Sequence, residues 1–243
     1  MTHTHQYIKS KIPTTCQVHP YAVIGEGVVL GENVIIHPFV VINDGVTLGD
    51  RVEVFPGAYI GKEPKGAGAL ARQPHFERQV KIGADCSIGP HTVIYYDVEI
   101  GSNTLIGDGA SIREQCKVGS YCIISRYVTL NYNATVGDRT KIMDMTHVTG
   151  NCIIGSDVFI SLHVGMANDN QIGQSGYDDH VQGPVICDGA AIGLGAMLLP
   201  KVYIGKGAVI SASSLVRKSI EANTLVAGNP AKTIKKLRCV SER

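Results

Sequence analysis

The amino-acid sequence predicts an all-β solenoid made of short strands joined by tight corners. An aliphatic residue or Met recurs every six positions over residues 12–60, 82–172 and 186–216, which makes 31 hexads. The next residue is often Gly, as expected where a chain turns with positive φ, and the fifth position is small or β-branched. A fixed short period is the signature of a repeat architecture. One large and one small inward position in each hexad describe a narrow prism.

Composition and charge exclude several classes of protein. The 243 residues carry 22 Lys plus Arg against 21 Asp plus Glu, so a net charge of +1 gives no broad attraction to nucleic acid or to an anionic membrane. No stretch of about 18 apolar residues occurs, and the first residues lack an apolar segment, so neither a transmembrane helix nor a signal peptide is expected. We expect a cytoplasmic protein with no nucleic-acid and no membrane partner.

Cysteine placement indicates a structural role for most of the seven Cys residues. Five of them fall at the fifth, inward position and are predicted to be small core residues: Cys16, Cys86, Cys116, Cys122 and Cys152. Cys187 and Cys239 lie outside that register, and no CxxC motif occurs. A disulfide framework is therefore not expected.

The hexad pattern resembles the hexapeptide-repeat left-handed parallel β-helix, which has three hexads in each coil. Residues 18 apart would then stack, and the chain would form about ten coils over residues 1–228, with loops at about 62–79 and 173–185. Residues 229–243 are predicted to form a short C-terminal helix that caps the prism, because Asn229 suits an N-cap and Pro230 the first helical position.

The two loops interrupt the repeat, and long interruptions of this kind are usually functional or disordered. The first contains Lys65, Arg72 and Arg78, and basic side chains on a flexible loop suit a phosphate group. Arg72 is the strongest candidate for a bidentate contact. The alternative is a solvated excursion that only contacts a neighbouring subunit.

A polar stripe is predicted along one edge of the prism, at residues 95–97, 113–115, 131–133, 149–151 and 167–169. Polar side chains concentrated at one edge indicate a functional site, because the repeat itself depends only on the residues at its inward positions. The candidate substrate-binding residues here are Tyr132, Asn133 and Asn151. The alternative is that Asn and Asp form stacked ladders at the corners without any ligand.

His147 is the most suggestive single residue of the sequence. It lies at the outward position of its hexad beside the stripe, and the residue one coil later is Gly165, which leaves room for a substrate. A His with a pKa near neutrality is a natural general base. Asp144, three residues earlier, is a candidate to orient it.

The C-terminal run from Pro184 to Leu237, with AGNPAK as its most specific piece, resembles the signature of hexapeptide-repeat acyl-CoA transferases. The resemblance implies acetyl-CoA or another acyl-CoA as cosubstrate, no metal, and a homotrimer with clefts between subunits. It places the cofactor near five backbone positions and two lysines: Gly193, Gly195, Ser211, Ala212, Ala227, Lys232 and Lys235.

Within that family, DVFISLHVGMAND and KGAGALAR are similar to segments of bacterial enzymes that acylate the amine of a dTDP-linked amino-dideoxyhexose, used for O-antigen or S-layer glycans. The similarity places Asn168 near the amine. Gly150 stands where lipid A acyltransferases have their catalytic His. Two mechanisms remain open: His147 acts as base, or the amine attacks unaided while Asn168 and Glu114 hold it.

Other functions are an O-acetyltransferase of a small alcohol or sugar, a zinc hydrolyase like the γ-class carbonic anhydrases, and a scaffold. The zinc enzymes need two His five residues apart, a spacing absent here, and a scaffold would not require AGNPAK. The sequence leaves open acetyl against a longer acyl chain, dTDP against UDP, and a 3-amino against a 4-amino sugar.

Overall fold

The computed structural model describes residues 12–66, 73–171, 174 and 181–238. The strands within these residues are β1 (Gln17–Val18), β2 (Val23–Ile24), β3 (Val29–Leu30), β4 (Ile35–Ile36), β5 (Val41–Ile42), β6 (Val46–Leu48), β7 (Glu53–Val54), β8 (Tyr59–Lys62), β9 (Val80–Ile82), β10 (Ser87–Ile88), β11 (Val93–Tyr95), β12 (Val98–Ile100), β13 (Leu105–Ile106), β14 (Ser111–Ile112), β15 (Lys117–Val118), β16 (Ile123–Ile124), β17 (Thr129–Leu130), β18 (Thr135–Val136), β19 (Lys141–Ile142), β20 (His147–Val148), β21 (Ile153–Ile154), β22 (Phe159–Ile160), β23 (Gly165–Met166), β24 (Val185–Ile186), β25 (Ala191–Ile192), β26 (Met197–Leu198), β27 (Tyr203–Ile204), β28 (Val209–Ile210), β29 (Leu215–Val216), β30 (Thr224–Ala227) and β31 (Lys232–Lys236).

These strands form three parallel sheets, the sides of a left-handed β-helix, which confirms the predicted fold class. Sheet 1 contains β1 and every third strand to β28, followed by β30; sheet 2 runs from β2 to β29 and sheet 3 from β3 to β27. Paired residues are 18 apart, as Ser87 and Leu105 are, except across the two loops and between β28 and β30, where they are 16 apart. Sheet 1 has eleven parallel strands, so the helix has about 11 coils, one more than expected.

The core is the stack of inward hexad positions. The large aliphatic position is almost fully buried in coil after coil, as at Ile42, Ile94 and Ile142, and the small fifth position is equally buried at Val40 and Ala110. Burial of this aliphatic column supplies the main hydrophobic stabilisation. The sequence prediction of two inward positions per hexad is confirmed.

Threonine and cysteine at the fifth position have a second function, which is to hydrogen-bond the backbone of the next corner. The Thr104 hydroxyl donates to the Gly119 carbonyl at 2.9 Å, and the Cys122 thiol donates to the Gly137 carbonyl at 3.1 Å. Burial raises the pKa of the Cys116 thiol to about 12, so it remains a neutral thiol in the core. The predicted structural role of these cysteines agrees with their position.

The glycine that follows the aliphatic residue of a hexad is not explained by positive φ, which was the expected reason. Positive φ falls mainly on the last corner residue, such as Asn33 (57°) and Asn103 (58°). A Cβ at Gly31 would instead lie 2.6 Å from the backbone nitrogen of Asp50, one coil further along. Glycine is therefore needed there because successive coils approach closely.

The prediction of a C-terminal helix is wrong, since the described residues contain no helix. The chain turns at Gly228 and the cis Asn229–Pro230 peptide, and β31 then runs antiparallel to β30 at the end of sheet 1. β-Branched Thr233 and Ile234 suit a strand. A Lys-rich strand also suits a sheet edge, because charge discourages further pairing.

Candidate functional site

Both loops leave the prism from the same edge, the edge between sheets 2 and 3, called the loop edge here. The first follows β8 and returns in β9, and the second follows β23 and returns in β24. The polar stripe lies along this edge between them. Five strand spacings separate β8 from β23, which is about 24 Å at the usual spacing of about 4.8 Å. The structure thus brings the stripe and the described ends of both loops to one edge.

His147 lies on β20, on the outer face of sheet 2, with Thr129 and Gly165 as its register partners. Thr129 Oγ1 and His147 Nδ1 are 2.7 Å apart. A Cβ added at Gly165 would meet nothing within 4 Å, so the space beside the imidazole is open. Although His147 keeps an exposed surface, desolvation by the surrounding protein lowers its pKa, which favours the neutral imidazole.

The expectation that Asp144 orients His147 is wrong. Asp144 lies at the opposite edge of sheet 2, which is the edge between sheets 1 and 2. There it accepts hydrogen bonds from the Ser125 hydroxyl and, at 2.5 Å, from Arg126 Nη2. The bond from Ser125 and then that from Arg126 lower the pKa of Asp144, so the carboxylate is committed to these partners. Thr129, which sequence reasoning missed, occupies the orienting position because it stacks one coil before His147.

Asn168, Tyr132 and Gly150 form one unit on the loop edge. Asn168 Nδ2 is 3.4 Å from Tyr132 Oη and 3.4 Å from the Gly150 carbonyl oxygen. A Cβ at Gly150 would lie 2.6 Å from Tyr132 Cζ, so the tyrosine ring fills the space that any side chain at position 150 would need. The packing of Tyr132 therefore requires glycine at position 150, which the sequence did not indicate.

Asn133 and Asn151 form an amide ladder at the loop edge. Asn133 Nδ2 donates to Asn151 Oδ1 at 2.8 Å, and Asn151 Nδ2 donates to the Val181 carbonyl at 2.7 Å. The ladder anchors the returning end of the second loop. A positioning role thus accounts for these two residues better than the expected direct contact with substrate.

Glu114 is fully buried, which makes the expected contact with the amine wrong for this structure. Its carboxylate accepts hydrogen bonds from Arg113 Nε at 2.8 Å and Nη2 at 3.1 Å. Arg113 Cζ lies 5.1 Å from the centroid of the Tyr95 ring, and Lys62 Nζ donates to Tyr95 Oη at 2.9 Å. Sequence reasoning placed Tyr95 and Arg113 in the stripe but did not select them, and it missed Lys62.

A recess of about 460 Å³ lies at the foot of the first loop. Its lining includes Tyr59, Lys62 and Lys65, together with Arg78, which is paired with Glu63 at 2.8 Å. Lys65 therefore lies where a phosphate contact was expected. Arg72 lies outside the described residues, and its contact with a diphosphate stays a prediction.

The candidate cofactor residues lie together near the C-terminal end of the prism. Gly193 and Gly195, with Ser211 and Ala212 one coil later, form corners at the opposite edge of sheet 2, and a Cβ at Gly193 would lie 2.5 Å from the Ala212 nitrogen. Ala227 ends β30. Lys232 pairs with Ala227 and Lys235 with Leu225, so both lysines lie on exposed β31 instead of a helix.

No group of three or more His, Cys, Asp or Glu side chains suited to a metal ion occurs among the described residues. The described part of the chain also contains no helix long and apolar enough to span a membrane.

Comparisons with known proteins agree with the architecture. A family model for the bacterial transferase hexapeptide matches residues 9–44 and 27–62, and one for the GMPPB C-terminal domain matches residues 72–172. Serine acetyltransferase 4 of Arabidopsis thaliana is 41% identical over 63 residues, which are 26% of this chain and 18% of that protein. The 2,3,4,5-tetrahydropyridine-2,6-dicarboxylate N-acetyltransferase of Staphylococcus aureus is 45% identical over 51 residues, 21% of each chain.

The chain thus spans about a fifth of the length of these curated relatives. Among solved structures, the Arabidopsis UDP-N-acetylglucosamine acyltransferase aligns over 93% of this chain and 74% of its own, with a TM-score of 0.56 and 20% identity. That likeness concerns the fold. Residues 9–62 therefore match hexapeptide-transferase repeats, and the chain has the left-handed β-helix fold found in that acyltransferase.

Proposed function

We propose that this protein is an acyl-CoA-dependent N-acyltransferase, with acetyl-CoA as the expected donor and a nucleotide-linked amino-dideoxyhexose, dTDP-linked by resemblance, as the acceptor. The observation that carries the proposal is the position of His147. It lies on the outer face of sheet 2, between a polar edge with two loops and an edge of tightly stacked glycine and serine corners near the C-terminal end. One face thus has candidate surfaces for two different substrates on either side of a neutral imidazole.

The acyl-transfer reaction forms one C–N bond and breaks one C–S bond. The sugar amine attacks the thioester carbonyl, the CoA thiolate leaves, and the amine proton is transferred to a base and then to the thiolate. The base is not required to be strong, because a free amine is already nucleophilic, but the lowered pKa keeps His147 ready to accept the proton. Tyr132 fills the space at Gly150, where lipid A acyltransferases have their catalytic His, so a base in this protein has to come from another position, for which His147 is the candidate.

We place the acceptor on the loop edge as part of this proposal. Lys65 and the recess at the first loop supply positive charge and volume for the nucleotide part, and Asn168 lies five coils away on the same edge. A small alcohol would use neither the recess nor the loop. The relatives include an N-acetyltransferase, and the similar fold includes an enzyme acting on a UDP-sugar, which supports an amine and a nucleotide sugar as acceptor features.

A homotrimer belongs to the same proposal. Apolar side chains along the opposite edge of sheet 2 are exposed in the single chain: Tyr127, Met145, Leu162 and Leu194. An exposed apolar patch of this kind marks an interaction site. A second copy packed there would also deepen the face around His147, as ligand sites usually enclose most of their ligand. Because acyl-CoA and nucleotide sugars are cytoplasmic metabolites, we place the reaction in the cytoplasm, where it would serve cell-surface glycan synthesis.

The test is a thiol-release assay with acetyl-CoA, and with longer acyl-CoA donors, against a panel of nucleotide aminosugars. The panel contains 3-amino and 4-amino sugars on dTDP and UDP, with matched sugars that have a hydroxyl in place of the amine. Release that depends on the amine supports the proposal. Release with the hydroxyl sugars alone would establish O-acylation, and no release with any acceptor or acyl-CoA would refute the transferase.

A further inference from the structure

Three side chains on the loop edge form a cluster that the proposed chemistry does not use. Lys62 Nζ lies 4.7 Å from the centroid of the Tyr95 ring, and Arg113 Cζ lies 5.1 Å from the same centroid. Cations at such distances are attracted by an aromatic ring. The Lys62 ammonium is also fixed by its 2.9 Å hydrogen bond to Tyr95 Oη. Lys62 belongs to the coil before Tyr95 and Arg113 to the coil after it, so each cation contacts the ring from a neighbouring coil.

Arg113 is pre-organised by the buried Glu114. The carboxylate occupies one N–H of Nε and one of Nη2, whereas a guanidinium has five N–H donors. A buried carboxylate needs its partner, so the guanidinium is held in place. The remaining donors are suited to the oxygens of a phosphate, which arginine binds in a fork geometry.

The cluster has excess positive charge. Glu114 is the carboxylate paired with Arg113, and among the described residues no carboxylate forms an ion pair with Lys62. Lys62 also borders the 460 Å³ recess, whose lining contains the further cations Lys65 and Arg78 and the carboxylates of Asp44 and Glu63. A ligand whose anionic group binds Lys62 and Arg113 would therefore be able to extend its remaining part directly into the recess, which is large enough for a nucleoside.

We propose that Lys62 and Arg113, held on the Tyr95 ring, form the subsite for the diphosphate of the acceptor, and that the adjoining recess holds its nucleoside. This assignment rests on the proposed function and locates one end of its acceptor. Arg113 follows β14, two strand spacings or about 10 Å from His147 on β20, whereas the recess at β8 is four spacings or about 19 Å away. A nucleoside diphosphate sugar has its groups in this order, with the diphosphate between the sugar and the nucleoside.

The test measures binding of dTDP and 3′,5′-ADP by calorimetry without any acyl donor. In Lys62→Met and Arg113→Met, the Kd for dTDP should rise about 10- to 100-fold, the value of a hydrogen bond between charged groups. The Kd for 3′,5′-ADP, which represents the phosphates of CoA, should not change. Lys117→Met, on the outer face of sheet 3, is the matched control and should bind dTDP like the native protein.

Arg113→Met leaves Glu114 buried without its cation, so the double variant Arg113→Met with Glu114→Met keeps the test independent of that effect. If both Lys62→Met and the folded double variant bind dTDP within twofold of the native protein, the subsite is wrong. An effect on 3′,5′-ADP as large as that on dTDP would also overturn it, since the cluster would then hold CoA.

Failure of this subsite is distinguishable from failure of the transferase. Unchanged dTDP binding in the variants, with amine-dependent thiol release intact, rejects only the subsite. If the native protein binds dTDP and the variants do not, but no acyl-CoA gives thiol release, the transferase is rejected and the nucleotide site is retained.

Discussion

At the scale of single residues, two neighbours determine what His147 can do. Thr129 contacts Nδ1 at 2.7 Å from one coil before, and Gly165 leaves open space one coil later. Desolvation lowers the pKa of the ring, so its neutral form extends to a lower pH than that of a free imidazole. An oriented, neutral imidazole next to open space is what a general base requires.

We expect His147→Ala to reduce kcat by about 10²- to 10⁴-fold, the usual contribution of a positioned base. Because the pKa of His147 is lowered, the native rate should fall only when pH drops below that of ordinary imidazole titration, and the variant should lack this acidic limb. Steady-state kinetics across pH measure both. A loss below about tenfold with an unchanged pH profile would favour unaided attack by the amine.

Gly150 and Gly165 are a matched pair of glycines on neighbouring coils of the same site. Gly150→Ala places a Cβ against Tyr132 and should lower the free energy of unfolding by about 1–3 kcal/mol, as overpacking does. Gly165→Ala meets nothing within 4 Å and should leave stability unchanged while it narrows the space beside His147 and reduces kcat. Denaturant unfolding separates the two, and equal stabilities would show that Tyr132 does not depend on Gly150.

At the scale of the strand and corner, hydroxyl and thiol groups at the fifth position connect successive elements. Thr104 Oγ1 donates to the Gly119 carbonyl and accepts from the Cys122 backbone N–H, so one side chain satisfies two backbone groups inside the prism. Buried polar groups of the backbone need such partners. Cysteine provides a weaker version of the same bond at other coils.

Thr104→Val keeps the shape of the side chain but removes the hydroxyl. We expect it to lower the free energy of unfolding by about 1–3 kcal/mol, the cost of unsatisfied buried groups. Thr104→Cys should lower the free energy of unfolding by less, because a thiol donates a hydrogen bond in the equivalent position at Cys122. Equal losses for both variants in urea unfolding would show that packing, and not the hydrogen bond, decides stability here.

The strand β31 carries the candidate CoA-binding lysines on an exposed edge. Lys232→Ala and Lys235→Ala should therefore raise the KM for acyl-CoA without changing the melting temperature or the KM for the sugar nucleotide. Lys141→Ala, on the exposed face of sheet 1, is the control. An unchanged KM for acyl-CoA in the double lysine variant would remove β31 from the cofactor site.

At the scale of the whole molecule, a single prism offers a face and two edges but little enclosure around His147. We expect a sedimentation mass of three chains at micromolar concentration. Met145→Glu with Leu162→Glu, which places charge in the exposed apolar edge, should give single chains and abolish activity while the β-helix stays folded. Full activity in a sedimenting single chain would contradict the trimer.

The sequence by itself determined the all-β solenoid, its two inward positions and the start of the first loop, because the hexad period is a local property repeated coil after coil. The second loop leaves after Met166, which is earlier than the expected position 173. The sequence also located His147 and Asn168 on neighbouring parts of one surface. Contacts across coils depend on side-chain direction, and only the tertiary structure showed that Thr129 and not Asp144 contacts His147, and that Glu114 is buried on Arg113. The C-terminal segment was misread as a helix for the same reason: an Asn-Pro start suits a helix locally, but the open edge of β30 offers hydrogen bonds that a strand can use.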